Sequence, residues 1–392
     1  MINRQAILKK LTILSKEFPV ITLLGPRQVG KTTLVQQFTA KKRKDVVHLD
    51  MERLADRNRL ADPEIFFEAN RNKIVVIDEV QLMPHLFSVL RPEVDALRKN
   101  GRFILTGSAS PELVKGVSES LAGRIAYIDV PPISILEATE ASIVQSKHWF
   151  RGGFPLALTA KQNEGYARWA ENFVRSYVER DLSVLFGTGI SAQLARNFWS
   201  MVSVSNGNIW NAESMARSLG VSGPTINRYL DFMEGAFLIR RLPAWYVNAQ
   251  KRLVKAPKVY VRDSGLLHYL NNVADPRSMA GHPIVGSSWE GYVIEEICKQ
   301  LPYHIKPYFY RTHHGAEVDL VLVKGIAPVT CIEIKHSLNP TLTEGFYNCI
   351  EDLKTKHNFV IYPGEDTYKN AHGVEITPLI NFLDKFLKQF AK

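Results

Sequence analysis

The chain has 392 residues, 45% of them apolar, and 49 Lys and Arg against 39 Asp and Glu give a formal charge of +10. This length and apolar content predict two or three ordinarily packed domains and exclude a chain too polar to build a core. No run is long and apolar enough to span a bilayer, and the three cysteines show neither metal-ligand spacing nor a disulfide framework, so a reducing, cytoplasmic setting without membrane contact is expected. The positive excess favours polyanionic partners without naming one.

In chain order, the basic start MINRQAILKKLTILSKEF is broken by Lys9, Lys10, Lys16 and Glu17, which predicts a lead-in helix rather than a signal peptide. From residue 20 to 130, five apolar runs (VITLLG, VVHLD, KIVVIDEV, RFILTGSAS and RIAYIDV) alternate with helical patterns. Buried parallel strands in a layered α/β domain follow from that alternation. The first run leads directly into Gly25-Pro26-Arg27-Gln28-Val29-Gly30-Lys31-Thr32, with Thr33 next, and KTTLVQQF continues as a helix. This is G-x-x-x-x-G-K-[ST] in its required context. Its glycines let the backbone curl its N–H groups toward a phosphate, and the helix N-terminus adds a favourable dipole. Lys31 is expected on the β- and γ-oxygens of ATP and Thr32 on Mg²⁺. The third run ends in Asp78-Glu79: Asp78 is read as the acid that holds the metal through water, and Glu79 as the one that orients and polarises the attacking water.

After Pro131–Pro132 the pattern is mostly helical to about residue 245. Within it, NAESMARSLGVSGPTINRYLDFM over residues 211–233 reads as a helix-turn-helix. Leu219-Gly220 stops the first helix, and Pro224 suits the first turn of the second, with Ser222 or Gly223 as its cap. Ile226, Leu230 and Met233 form an apolar face that leaves Thr225, Asn227 and Arg228 on polar faces. GAFLIRRLPAWYVN is assigned to wing strands. Arg240, Arg241, Lys251, Arg252, Lys255 and Lys258 follow, and the unit is expected either to contact DNA or to serve only protein contacts or as a lid. Asp231 and Glu234 weaken its basic face.

Nearer the C-terminus, EVDLVLV and VTCIEIK alternate about a short Gly- and Pro-containing loop, which predicts a hairpin. With Val323 opposite Val329, Asp319 falls opposite Glu333 and Glu317 opposite Lys335. Two carboxylates so placed could share Mg²⁺, with Lys335 beside a water nucleophile, and a one-residue slip would scatter the set. The upstream helix SSWEGYVIEEICKQL offers Glu290 or Glu295 to complete the acids, with Glu290 favoured. A purely structural Glu317–Lys335 pair is the other reading.

Over nearly its whole length the chain resembles the bacterial and archaeal AAA+ ATPases that carry a C-terminal domain of unknown function, combining a winged helix with a PD-(D/E)XK nuclease-like fold. The matching residues are GPRQVGKTTL, VVIDEVQ, ILTGSAS, SLAGRI, RGGFP, RSYVERDL, KVYVRDSGLLHYL, SSWEGYVIEEI, GAEVDLVL and IEIK. The resemblance implies an α/β fold: an AAA+ P-loop NTPase core with a parallel sheet in the order 5-1-4-3-2, a helical and winged-helix segment, and a C-terminal α+β nuclease-like domain. The divisions are 1–145, 146–255 and 256–392. It places the phosphate lysine at Lys31, the metal acid at Asp78, the catalytic acid at Glu79 and a polar sensor at Thr106 or Ser108. It also places the nuclease-like set at Glu290, Asp319, Glu333 and Lys335. Arg124 is a candidate to complete a neighbour's site across a homo-oligomer, or else a surface arginine, and Arg180 is one candidate for an otherwise unassigned lid arginine. The expected function is an ATP- and Mg²⁺-dependent ATPase coupled to DNA binding. The alternatives are a regulatory switch working through protein contacts, or an ATP-modulated metal-dependent DNA nuclease.

Overall fold

The computed structural model describes residues 2–40, 45–110, 121–181, 191–246 and 253–390. Arg180, Lys251 and Arg252 fall outside the residues whose side chains are described, as does the segment leading into Leu121.

Five strands, β1 (Val20–Leu24), β2 (Val46–Asp50), β3 (Ile74–Asp78), β4 (Phe103–Gly107) and β5 (Ile125–Asp129), fall inside the five apolar runs. They pair in parallel in the order β2-β3-β4-β1-β5, which is 5-1-4-3-2 read from the other edge. The central strands are continuous apolar runs because both faces of a parallel sheet are covered. Every residue of β1 and β4 is buried. Leu49, Val75, Ile77, Leu86, Leu90 and Phe103 belong to the core on one side. Ile21, Leu23, Leu34, Val35 and Ile104 belong to the other core, which runs on without a break into Phe150, Phe154, Phe173, Trp199 and Ile226 of the helical segment. That segment is therefore packed onto the first domain rather than hung from a linker.

The helix-turn-helix consists of helices Ala212–Leu219 and Gly223–Gly235. Gly220 closes the first in the left-handed region (φ 67°), where a side chain would be strained, and the Ser222 hydroxyl accepts from Thr225 N to cap the second. Ile226, Tyr229, Leu230 and Met233 are its buried face. The wing differs from the expectation. Among the described residues only β6 (Ile239–Leu242) forms within the assigned segment, and its antiparallel partner is β7 (Lys258–Val261), in the KVYV run.

The C-terminal region is a mixed six-stranded sheet of β8 (Ile305–Arg311), β9 (Glu317–Lys324), β10 (Ala327–Ile334), β11 (His357–Tyr362), β12 (Tyr368–Lys369) and β13 (Glu375–Pro378). Its order is β12-β13-β11-β10-β9-β8. Helix Val285–Gln300 covers one face and helix Glu344–Leu353 the other. The β9–β10 hairpin starts one residue away from the expected register, with Val323 opposite Pro328. A bulge at Val329 then restores it, so that Leu322 faces Thr330 and Leu320 faces Ile332. Pro328 has no N–H for the ladder, which suits a position beside a bulge. Extending that register by one step sets Asp319 beside Glu333, and the Ile334 N–H donates to Asp319 Oδ2 at 2.9 Å.

A candidate nucleotide site and an acidic cleft

Three strand ends meet at the carboxyl edge of the parallel sheet, the edge at which open α/β sheets take ligands. The loop after β1 starts at Gly25, where an added Cβ would lie 2.1 Å from Val130 O, so only glycine fits. It ends at Gly30, whose φ of 92° turns the chain into helix Lys31–Thr39. Lys31 is buried, and its ammonium donates to Gly25 O at 2.9 Å and Pro26 O at 3.0 Å. Burial lowers its pKa, against the raising influence of Glu79 and Asp78. The Asp78 carboxylate, at the end of β3, accepts from the Thr32 hydroxyl at 2.6 Å and from the Thr106 hydroxyl.

Glu79 stands in the left-handed region (φ 53°), an uncommon place for a residue with a Cβ. Its N–H donates to Thr106 Oγ1 at 3.3 Å, and its carboxylate accepts from Ser108 Oγ at 2.8 Å and from Gln81 Nε2. The strained backbone thus delivers an acid that three neighbours hold in place. Gln81 is a residue that motif reading passes over, although it stands two places beyond the acid in VVIDEVQ.

The remaining loop residues tie this site to its surroundings. Val29 O accepts from buried Arg4 at 3.3 Å, Arg27 pairs with Glu52, and Gln28 Oε1 accepts from Trp169 Nε1 at 2.8 Å. Tyr177 OH donates to Ser108 O at 3.1 Å. Trp169 and Tyr177 belong to the helical segment, so both the phosphate loop and the end of β4 touch it directly. Arg124 lies apart from this set, with its guanidinium bidentate on Asp95 at 2.7 and 2.9 Å.

The second cluster lines an open cleft of about 600 Å³ in the C-terminal region. Glu290, Asp319, Glu333 and Lys335 all border it. The pairing differs from the expected one. Glu317 meets Lys258 at 2.6 Å and Arg311 at 3.1 Å, while Lys335, one residue past β10, turns back to Glu333 at 2.6 Å. Buried Lys258 also lies 3.1 Å from Glu290 and 3.8 Å from Asp319, and Tyr260 OH donates to the same Glu290 oxygen. Asp319 Oδ2 accepts from Ile334 N at 2.9 Å. Burial, then Glu290 and Glu333, push the Asp319 carboxyl well above the usual carboxylate range. Lys258 and Tyr260 share a face of β7, an arrangement readable from K-V-Y-V by simple alternation. Their acidic partners, 30 to 61 positions further on, are not readable that way. Glu295 is elsewhere, buried against Arg240 and Arg262. Burial alone would raise its pKa, but the two guanidiniums bring it down to about 2.

Around the helix-turn-helix, Asn227 and Arg228 are exposed and Thr225 is half-buried. Asn227 Oδ1 accepts from Trp210 Nε1 at 2.9 Å, Thr225 Oγ1 is 2.8 Å from the Ser222 hydroxyl, and the Arg228 guanidinium lies over Phe232. The basic run that follows is largely neutralised within the chain: Arg240 binds Glu295, Arg241 binds Asp231 and Glu234, and Lys258 binds the cleft acids. Lys255 is exposed.

A parallel five-stranded sheet with this loop, lysine and acidic strand end defines an AAA-type, ATP-binding ATPase. A model described as an AAA domain matches residues 17–139. Two described as domains of unknown function, DUF8612 and DUF4143, match 144–277 and 285–382. The uncharacterized protein Rv2008c of Mycobacterium tuberculosis is 36% identical over 360 residues, covering 92% of this chain and 80% of that protein, and the chain belongs to its family. An uncharacterized protein of Haemophilus influenzae is 23% identical over 297 residues, covering 68% of this chain and 72% of that one. Among solved structures, the Walker-type ATPase of Pyrococcus abyssi is similar at a TM-score of 0.46 and 14% identity, over 69% of this chain and 96% of that one. AMPPCP-bound DnaA of Aquifex aeolicus is similar at 0.32 and 14%, over 59% and 86%. No described helix is long and apolar enough to cross a membrane.

Proposed function

We propose that this ATPase binds and hydrolyses ATP with Mg²⁺ and transmits the nucleotide state to a nucleic-acid-binding half. The observation that carries this reading is the meeting of Lys31, Thr32, Asp78, Glu79 and Thr106 at one sheet edge, linked through Thr32–Asp78 and Thr106–Asp78. The backbone of residues 25–33 would wrap the β-phosphate, with Lys31 leaving its own loop carbonyls for the β- and γ-oxygens. Thr32 and Asp78 are hard oxygen donors suited to Mg²⁺, which when bound neutralises phosphate charge. Glu79 aligns the attacking water and accepts its proton, while Thr106 and Ser108 read the γ-phosphate end. Arg124 is exchanged from Asp95 to a neighbour's phosphate in a homo-oligomer. The functional divisions are an ATPase domain over 1–145, a winged-helix segment from 146 that its paired strand β7 carries past the expected boundary at 255 to Val261, and a nuclease-like domain after it.

Direct contacts support transmission: Gln28 with Trp169 and Ser108 with Tyr177 join the nucleotide site to the segment that carries the helix-turn-helix. DNA is the partner that the exposed Asn227 and Arg228 and the charge of +10 favour. The internal pairing of Arg240, Arg241 and Lys258 favours a second reading, a switch whose C-terminal modules bind protein. Titration of duplex DNA across a salt series, with and without ATP, separates the two. A steep salt slope that changes with nucleotide supports the first, and no binding at low salt removes it.

A further inference from the structure

A metal-dependent nuclease needs its acids gathered round an open point where a divalent cation accepts oxygens at roughly 2.0–2.6 Å. In this cleft that point is already taken. The ammonium of Lys258 sits among Glu290, Glu317 and Asp319 at 3.1, 2.6 and 3.8 Å. It is not a mobile surface charge. Its residue is 4% exposed, its strand pairs with β6, and its amine lies over the Phe309 ring. The other carboxylates are engaged as well, Glu317 by Arg311, Glu333 by Lys335 and Asp319 by the Ile334 N–H. Among the described residues, no three His, Cys, Asp or Glu side chains are disposed to hold a metal ion. One acceptor, Glu333 Oε2, is buried without a partner, and a single oxygen does not make a site.

We infer that Lys258 is a tethered substitute for a divalent cation, so that the nuclease-like cleft binds no metal and cuts no nucleic acid. The substitution has a structural consequence. Lys258 comes from the strand that completes the wing, so its ion pairs fasten the wing to β9 and to helix Val285–Gln300. A diffusible metal would leave that junction dependent on metal supply, whereas a lysine makes it permanent.

The test titrates Mn²⁺ into nucleotide-free full-length protein and follows free ion by electron paramagnetic resonance, comparing wild type with Asp319→Asn. The two isotherms are expected to coincide, since the cleft contributes no site; a site present in wild type and lost in Asp319→Asn would overturn the inference. Lys258→Met, which keeps the stem and removes the charge, is expected to gain one Mn²⁺ site that wild type lacks and that a second Asp319→Asn change abolishes. A folded Lys258→Met with no added site would show that something other than the ammonium closes the cleft, and would also overturn it. Should that variant not fold, the wild-type comparison decides alone. Plasmid DNA incubated with wild type and Mn²⁺ should remain intact, and cleavage lost in Asp319→Asn would contradict the claim.

Discussion

The nucleotide site and the C-terminal cleft are built from the same kinds of group, a buried lysine facing carboxylates at strand ends, and they are prepared for opposite tasks. In the first, Lys31 donates to carbonyls of its own loop and Asp78 accepts from hydroxyls. These are contacts that a phosphate and a metal replace at little cost, because the charges are not yet paired with each other. In the second, Lys258, Lys335 and Arg311 each lie against a carboxylate. Those charges satisfy one another, and a ligand has to break an ion pair to enter. Identical residue types therefore do not imply identical readiness; the partner that each charge already has decides it.

The comparison breaks most visibly at Glu79. Glu79→Gln should lower ATP turnover by about 10²–10³-fold and leave ATP binding nearly unchanged, since a general base contributes on that scale. Phosphate-release kinetics beside a nucleotide titration checks this, and a variant with full turnover would remove Glu79 from the chemistry. Lys31→Ala should weaken ATP binding by roughly 100-fold, the worth of a charge-assisted contact to phosphate. A fluorescent ATP analogue reads it, and unchanged affinity would mean that Lys31 is as internally satisfied as Lys258.

A third experiment turns to paired charge. Glu295→Ala leaves the half-buried Arg240 and Arg262 without their carboxylate and should cost about 3 kcal/mol, seen as a lower melting temperature. The pH dependence has a definite sign. A carboxyl held at about 2 in the folded chain and near the ordinary value when unfolded contributes stability that is complete above about pH 4.5. That contribution, about 3 kcal/mol, is lost as pH falls toward 2. The gap between wild type and Glu295→Ala should narrow over that acid range; a constant gap would contradict the ion pair. The smallest effect is expected at the exposed helix-turn-helix. Arg228→Ala should weaken DNA binding by less than tenfold and lower the salt slope by about one. An unaltered slope would favour protein as the partner of that face.

The phosphate loop was legible because its determinants are contiguous. Strand, loop and helix occupy residues 20–39, and the residue types alone impose the turn: glycine at 25 for want of space and at 30 for a positive φ. The Asp78-Glu79 strand end and the helix-turn-helix, with its Gly220 stop and Ser222 cap, were legible for the same reason. The β6–β7 pair was only half legible. β6 lies where the apolar pattern put it, but its partner β7 starts 16 residues beyond its end, past a segment that carries no period.

What the sequence determined by itself is the five strands of the parallel sheet, the two helices within residues 211–233, the β9–β10 hairpin and the identity of the groups at the phosphate loop, since local backbone geometry and apolar periodicity act over a few residues. What the tertiary structure alone decided is which charge meets which. The Val329 bulge that resets the β9–β10 register, and Lys258's capture of Glu290 and Glu317 from 32 and 59 positions away, depend on how distant strands and helices pack. Ion pairs form between whichever groups burial brings within a few ångströms, and no local period records that distance.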